Sequence, residues 1–273
     1  MKASDFDFAA PDTIRQACEM LEDQSYESRI IAGGQTLTPM LAMRVAQPSR
    51  LIDISGIEEL GAIDLKRGGI TVSAQVTQSA LEDWLVKNPK NPILSAVIPW
   101  IAHRVIRNRG TVCGSIAHAD PSGELPLALV AVQGKVFAKS LRGGREISAE
   151  DFFIGALKTA LDPAEFIQSV YFPNMGLDTT FGFQEFGYRS GDFAVVSVLV
   201  LKEPEQWVFC FGGIDDIPRR FALSNATVKQ AVEFLTDLSQ EITVREDPSA
   251  TSEFRRHLMT SLGYRAIQQA ELG

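Results

Sequence analysis

The 273-residue chain has only three cysteines, Cys18, Cys113 and Cys210. They lie far apart, are odd in number and form no CxxC pair, which excludes an iron-sulfur cluster or zinc knuckle held by this chain alone. They read as reduced thiols, two of them buried. Positive charge is scarce as well: 26 Lys and Arg stand against 34 Asp and Glu, a formal net charge of -8. Nucleic-acid binding needs clustered positive charge to displace counterions, so that class of partner is excluded. No run approaches the ~18 apolar residues of a membrane span. The start, MKASDFDFAAPD, lacks the basic region and apolar core of a secretory signal. Together these absences predict a cytoplasmic protein. Also missing are the GxGxxG spacing of a dinucleotide-binding turn and the GxxxxGK[ST] of a phosphate-binding loop.

What remains is an ordinary globular composition, 45% hydrophobic and 22% charged. The length suggests two domains or one large one. Ile14, Ala17, Cys18 and Leu21 recur at helical spacing behind a cap at Asp12 or Thr13. RIIAGG reads as a strand running into a glycine turn, LIDIS as another strand, and GAIDLKRGGITVSAQV as a hairpin turning at Arg67, Gly68 and Gly69. TQSALEDWLVKN predicts an amphipathic helix from Thr77, and Pro92 to about His103 looks helical. IRNRGTVCGSIAHADPSGELPLALVA reads as a loop of small residues entering an apolar helix at Leu125 or Pro126. Strands flank the SLRGGREI turn, and EFIQSVYFP closes this half. Residues 173–179 form a boundary. Beyond it TTFGFQEF, FAVVSVLVL and QWVFCFGGI read as three strands, followed by helices from about Thr227 to Leu238 and Thr251 to Ala270.

Two glycine motifs bear on chemistry. AGGQTLTPM, from Ala32, serves either a tight turn or the close approach of backbone N-H groups to a phosphate, because glycine has no Cβ. TVCGSIAHADPSGELP offers a second small-residue turn with the hydroxyls of Thr111 and Ser115 and the glycine Gly114, and Glu124 precedes the apolar helix. Two such loops can share the charge of a diphosphate, which suits an acidic protein.

AGGQTL, IRNRGTVCGSIAHADPSGELP and FGYRSGDFAVVSV together resemble the FAD-binding, or medium, subunit of molybdenum hydroxylases, the group of carbon monoxide dehydrogenase and the flavin portion of xanthine dehydrogenase. The resemblance spans essentially the whole chain. It implies an α+β fold: a two-subdomain FAD-binding domain of the vanillyl-alcohol-oxidase type over residues 1–175, divided at about 57, then a smaller α+β domain over 176–273 with a short antiparallel sheet and helices. It implies non-covalent FAD, with Gly33, Gly34, Gln35 and Thr36 around the diphosphate on one side, flanked by Ile31, Ala32 and Leu37. Thr111, Val112, Gly114 and Ser115 would meet it from the other side, with Ala117, His118 and Asp120 nearby. Glu124 matches a position usually held by Asp, Leu161 would pack on the cofactor, and Ile101 and Ala102 would lie near the isoalloxazine ring. Tyr188, Arg189, Asp192 and Phe193 would form a loop controlling access of the electron acceptor.

Three positions depart from the family pattern: Gln35 replaces His or Thr, Cys113 replaces Gly, and Gln184 or Glu185 replaces a Lys. His103 and His118 fit structural or surface roles, with no metal spacing around them. The arginines of HRVIRNR, Arg104, Arg107 and Arg109, form either a solvated face or a docking surface for an acidic iron-sulfur partner. The resemblance implies electron transfer from [2Fe-2S] clusters on a small subunit to this FAD and on to an external acceptor, with the molybdenum cofactor on a large subunit and a dimer of three-subunit units overall. A self-sufficient FAD oxidoreductase and a flavin-binding assembly module without turnover are the alternatives.

Overall fold

A computed structural model describes residues 2–66 and 68–273, so the Arg67 end of the expected hairpin turn lies outside the described residues. The first helix, Ile14–Glu22, is capped by Thr13, whose Oγ1 accepts from the Gln16 N-H at 3.2 Å, and it buries Ala17 and Cys18. Strands Asp7–Ala9, Arg50–Asp53 and Ser28–Ile31 form a parallel sheet with Arg50–Asp53 at its centre. Both Ser28–Ile31 and Arg50–Asp53 therefore end at the same edge, where the glycine pair begins.

A five-stranded antiparallel sheet follows. The hairpin Ile63–Lys66 and Gly69–Ser73 pairs with Phe166–Pro173, which pairs in turn with Lys135–Ser140 and its partner Gly143–Ser148. Helix Gln78–Lys87 starts behind Thr77, as its sequence predicts.

Several expectations need correction. The helix from Pro92 ends at Val97 and passes into a single tight turn, Ile98–Trp100, because Pro99 has no N-H to continue the ladder. The expected loop after residue 110 is instead a helix, Val112–His118, capped by Thr111. The apolar helix begins one residue earlier than predicted and spans Glu124–Ala131. All three cysteines are buried and free, not two.

The C-terminal sheet has four strands rather than three: Thr180–Phe186, Val196–Glu203, Gln206–Gly212 and Arg219–Ser224. The added edge strand carries adjacent arginines that mask its alternation, and FAVVSVLVL joins the sheet only from Val196. Helices Val228–Glu241 and Ser252–Leu272 cover one face. The period of two divides each inner strand between two cores. Val198, Val200, Phe209 and Phe211 pack with those two helices. Leu199, Leu201, Val208 and Cys210 belong to the same core as Ala17, Ile52, Leu127 and Phe172. The sheet is thus a wall shared by the two cores, and residues 173–179 lead from Phe166–Pro173 into its first strand.

Candidate functional site

Ser28–Ile31 delivers the chain to Gly33, where two loops touch. A Cβ at Gly33 would stand 2.0 Å from the Arg109 carbonyl oxygen and 2.9 Å from the Gly110 Cα, so only glycine permits this approach. Gly34 has φ +70, the left-handed region that a β-carbon disfavours. Around this turn lies an open cavity of about 380 Å³ lined by Ile31 to Gln35, Thr38, Pro39, Asp53, Ser55 and Arg109. Arg109 is exposed and makes no ion pair among the described residues. A backbone cradle with one free guanidinium is a fitting place for an anionic diphosphate. Gln35 turns back toward the Gly33 carbonyl at 3.5 Å, at the limit of a hydrogen bond.

The second motif is fixed by its neighbours. Gln78 N-H donates to the Gly110 carbonyl at 2.8 Å, and Val112 N-H donates to the Val76 carbonyl at 3.0 Å. Buried Thr111 accepts from the Gly114 N-H at 3.0 Å, so Gly114 and Ser115 lie in the first turn of a helix. Gly114 and Ala117 are exposed and Ser115, His118 and Asp120 half-buried along one side, whereas Val112, Cys113 and Ile116 point into the core. Cys113 Sγ reaches the Val72 carbonyl at 3.4 Å, and burial pushes its thiol far above the ordinary range. It faces away from the exposed strip and is chemically inert there.

Below this helix is a group of buried polar atoms. Glu124 is 4% exposed, and burial pushes its carboxyl up to about 7, with Asp120 contributing. Glu185, on Thr180–Phe186, is pushed up to about 8 by burial and by the charge of Glu124. Among the described residues its Oε2 has no hydrogen-bond partner, nor has the Oγ of Ser197, the residue directly across the ladder. Both side chains share the sheet face turned toward Pro121 and Leu127, since a Cβ on neighbouring Gly212 would meet Ser197 Oγ, the Pro121 carbonyl and Leu127. Unsatisfied buried groups of this kind suit a ligand that offers hydrogen bonds. His118 Nε2 lies 3.9 Å from Asp120, and burial lowers its pKa.

Ile101 and Ala102 sit in a sharp bend, Ala102 having φ 42. The loop 187–193 rests on it: a Cβ at Gly191 would lie 3.0 Å from His103 Cε1 and 3.2 Å from the Ala102 carbonyl carbon. Tyr188, Arg189, Asp192 and Phe193 are exposed; the Tyr188 hydroxyl donates to the Ser249 carbonyl at 2.6 Å, and the Asp192 N-H donates to the Arg189 carbonyl at 3.1 Å. The Arg189 and Asp192 side chains form no ion pair with each other among the described residues. Leu161 is half-buried against the main core and does not line the glycine cavity.

The HRVIRNR surface is not the free cationic patch that its sequence suggests. Arg104 pairs with Glu82 at 2.8 Å and Asp83 at 2.6 Å, and Arg107 is buried against Glu82 at 3.1 Å. Of the three, Arg109 makes no ion pair among the described residues, and it is one of the residues lining the cavity. Asp53, Ser55 and Thr38 also escaped the sequence reading. Their signal was topological, since neighbouring parallel strands end their C-terminal ends at one crevice.

Residues 4–175 match the model of the FAD binding domain in molybdopterin dehydrogenase. The chain is 38% identical over 201 residues to the nicotine 6-hydroxylase medium subunit of Paenarthrobacter nicotinovorans, covering 74% of this chain and 70% of that protein. It is 30% identical over 285 residues to the caffeine dehydrogenase subunit beta of Pseudomonas sp. strain CBB1, covering 99% of this chain and 96% of that one. Among solved structures, quinoline 2-oxidoreductase from Pseudomonas putida 86 superposes with a TM-score of 0.93 at 28% identity, over 100% of this chain and 99% of that one.

Proposed function

Because the chain belongs to the family of FAD binding domains in molybdopterin dehydrogenases, we propose that it is the FAD-carrying electron-transfer subunit of a molybdenum, iron-sulfur and flavin hydroxylase. It takes electrons from [2Fe-2S] clusters on a small subunit and passes them to an external acceptor, while a large subunit carries the molybdenum cofactor. The carrying observation is the glycine cavity, where Gly33 closes on the Arg109 carbonyl, Gly34 is left-handed, and Arg109, without an ion pair among the described residues, is a lining residue in an acidic protein. Non-covalent FAD would supply a store for two electrons and a means of releasing them to an acceptor.

Each residue group then has a role. Gly33, Gly34, Gln35, Thr36 and Arg109 hold one side of the diphosphate, and Thr111, Gly114 and Ser115 the other. Glu124, whose carboxyl burial pushes up to about 7, can offer the cofactor an O-H donor below that pH. Ile101 and Ala102 flank the ring, and residues 187–193 govern the approach of the acceptor. The two N-terminal sheets support a two-subdomain FAD-binding domain of the vanillyl-alcohol-oxidase type, residues 1–57 and 58–175, followed by 176–273. The complete assembly is a dimer of three-subunit units, and the three free cysteines favour a reducing cytoplasm.

The test is spectroscopic. The chain is purified alone and with its two partner subunits, and the flavin band is followed on adding compounds from a panel that starts with nicotine, caffeine and quinoline. Bleaching only in the complex is expected. Bleaching of the isolated chain would mark a self-sufficient oxidoreductase, and a chain that never bleaches in either state would be a binding module.

A further inference from the structure

We propose that Arg107 is a positioning residue of the flavin site, holding the Ile101–Ala102 bend that would flank the ring and that supports the 187–193 loop. This inference rests on the assignment of FAD to the glycine cavity. Of the three arginines in HRVIRNR, Arg107 alone is buried, at 7% exposure. A buried guanidinium is tolerable only when its charge is paired and its donors are used. Here Nε and Nη2 donate to the two oxygens of Glu82 at 3.2 and 3.1 Å, a fork-to-fork pair. Nη1 donates to two consecutive carbonyls, Ile101 at 2.8 Å and Ala102 at 3.0 Å.

Two adjacent carbonyls can converge on one nitrogen only if the backbone between them folds back. The left-handed Ala102 supplies that bend, and such strain in a non-glycine residue persists only where its surroundings enforce it. Arg107 is the enforcing group, and Glu82 fixes Arg107 from helix Gln78–Lys87. The bend in turn touches Gly191 through Ala102 and His103, and Trp100, one residue before it, packs edge-on against Phe183 with ring centroids 5.9 Å apart. The bend therefore links Glu82 to the strand that carries Glu185 and to the loop over the site. The diphosphate loops have separate anchors, through Gln78 to Gly110 and Val76 to Val112, so altering Arg107 should disturb the ring end before the phosphate end.

Arg107→Lys and Glu82→Gln, each in the full chain, test this. Lysine keeps the charge but cannot serve a carboxylate and two carbonyls with one planar fork. FAD content, resolution of the flavin absorption band and iodide quenching of flavin fluorescence are measured, with circular dichroism as the check on folding. Arg107→Lys should keep FAD, bind it about tenfold more weakly, equivalent to ~1.4 kcal/mol, and show a blurred band with increased quenching. Glu82→Gln should change in the same direction by less. Wild-type band shape and quenching in both variants would overturn the proposal, as would loss of fold in both, which marks a purely structural ion pair. If only Arg107→Lys fails to fold, the Glu82→Gln result decides. A wild-type chain that binds no FAD overturns both this inference and the assignment beneath it.

Discussion

Buried Glu124 and half-buried Glu185 make stability depend on pH in an unusual direction. In the unfolded chain both carboxyls ionise at ordinary values near pH 4 to 5. In the folded chain burial keeps them protonated up to about 7 and about 8 respectively. Over the interval between, the folded chain holds protons that the unfolded chain has lost, so stability falls as pH rises. The contribution is complete below the unfolded values and lost as pH climbs through the folded ones. Glu185→Gln isolates one proton: the amide keeps the shape and cannot ionise. Each pH unit over which one proton distinguishes the two states is worth ~1.4 kcal/mol. Between about pH 5.5 and 7.5 the variant should therefore gain ~3 kcal/mol relative to the parent chain. Urea unfolding of the flavin-free protein at a series of pH values, followed by tryptophan fluorescence, gives both profiles. Parallel profiles would mean that Glu185 is ionised at neutral pH in the folded chain, and the reading of this junction as a neutral hydrogen-bonding surface would fall.

Two further outcomes follow from the geometry. Gly33→Ala sets a methyl group 2.0 Å from the Arg109 carbonyl, with backbone on both sides of the contact, so the two loops must part and flavin content should fall sharply while circular dichroism stays native; full flavin occupancy at unchanged affinity would refute the cradle. Asp192→Ala, in an exposed turn with no side-chain ion pair among the described residues, should leave flavin content and substrate-driven bleaching intact while changing the rate of reoxidation by NAD, oxygen or a quinone-like dye. Stopped-flow reoxidation in the assembled complex measures it, and parent rates with every acceptor would make the loop a plain turn.

The elements legible in the sequence were those with local signals. Thr13, Thr77, Thr227 and Thr251 all cap the helices that their positions announce. Gly34 answers a local requirement, a left-handed backbone, which a glycine in the sequence signals directly, whereas Gly33 answers to the Arg109 carbonyl far along the chain. Helix Val112–His118 was not, since VCGSIAH is short, rich in small residues and dependent on a tertiary frame around Thr111. The burial of Arg107 and the pairing of Arg104 were not legible for a related reason. Their charge is visible in the sequence, but whether each is paired depends on Glu82 and Asp83, some twenty residues away and brought close by packing. Asp53 reaches the cavity through strand order and Arg109 through its loop's contact with Gly33, and no periodicity encodes either.

The sharing of cores bears on how the site could work. Ser197, Leu199 and Leu201 turn toward the N-terminal core, and Val196, Val198 and Val200 toward the C-terminal helices. Sliding this strand by one residue would exchange those two sets, so the register is held from both sides. The wall carrying Glu185 and Ser197 is thereby fixed relative to Glu124, and the polar junction between them has little freedom to open. The loop 187–193 differs, because it lies between the end of one strand at Phe186 and the start of the next at Val196, mostly exposed and touching the rest of the site through Gly191. Movement is therefore easier for this loop than for the Ala102 bend beneath it, whose carbonyl Arg107 holds, or for the shared sheet.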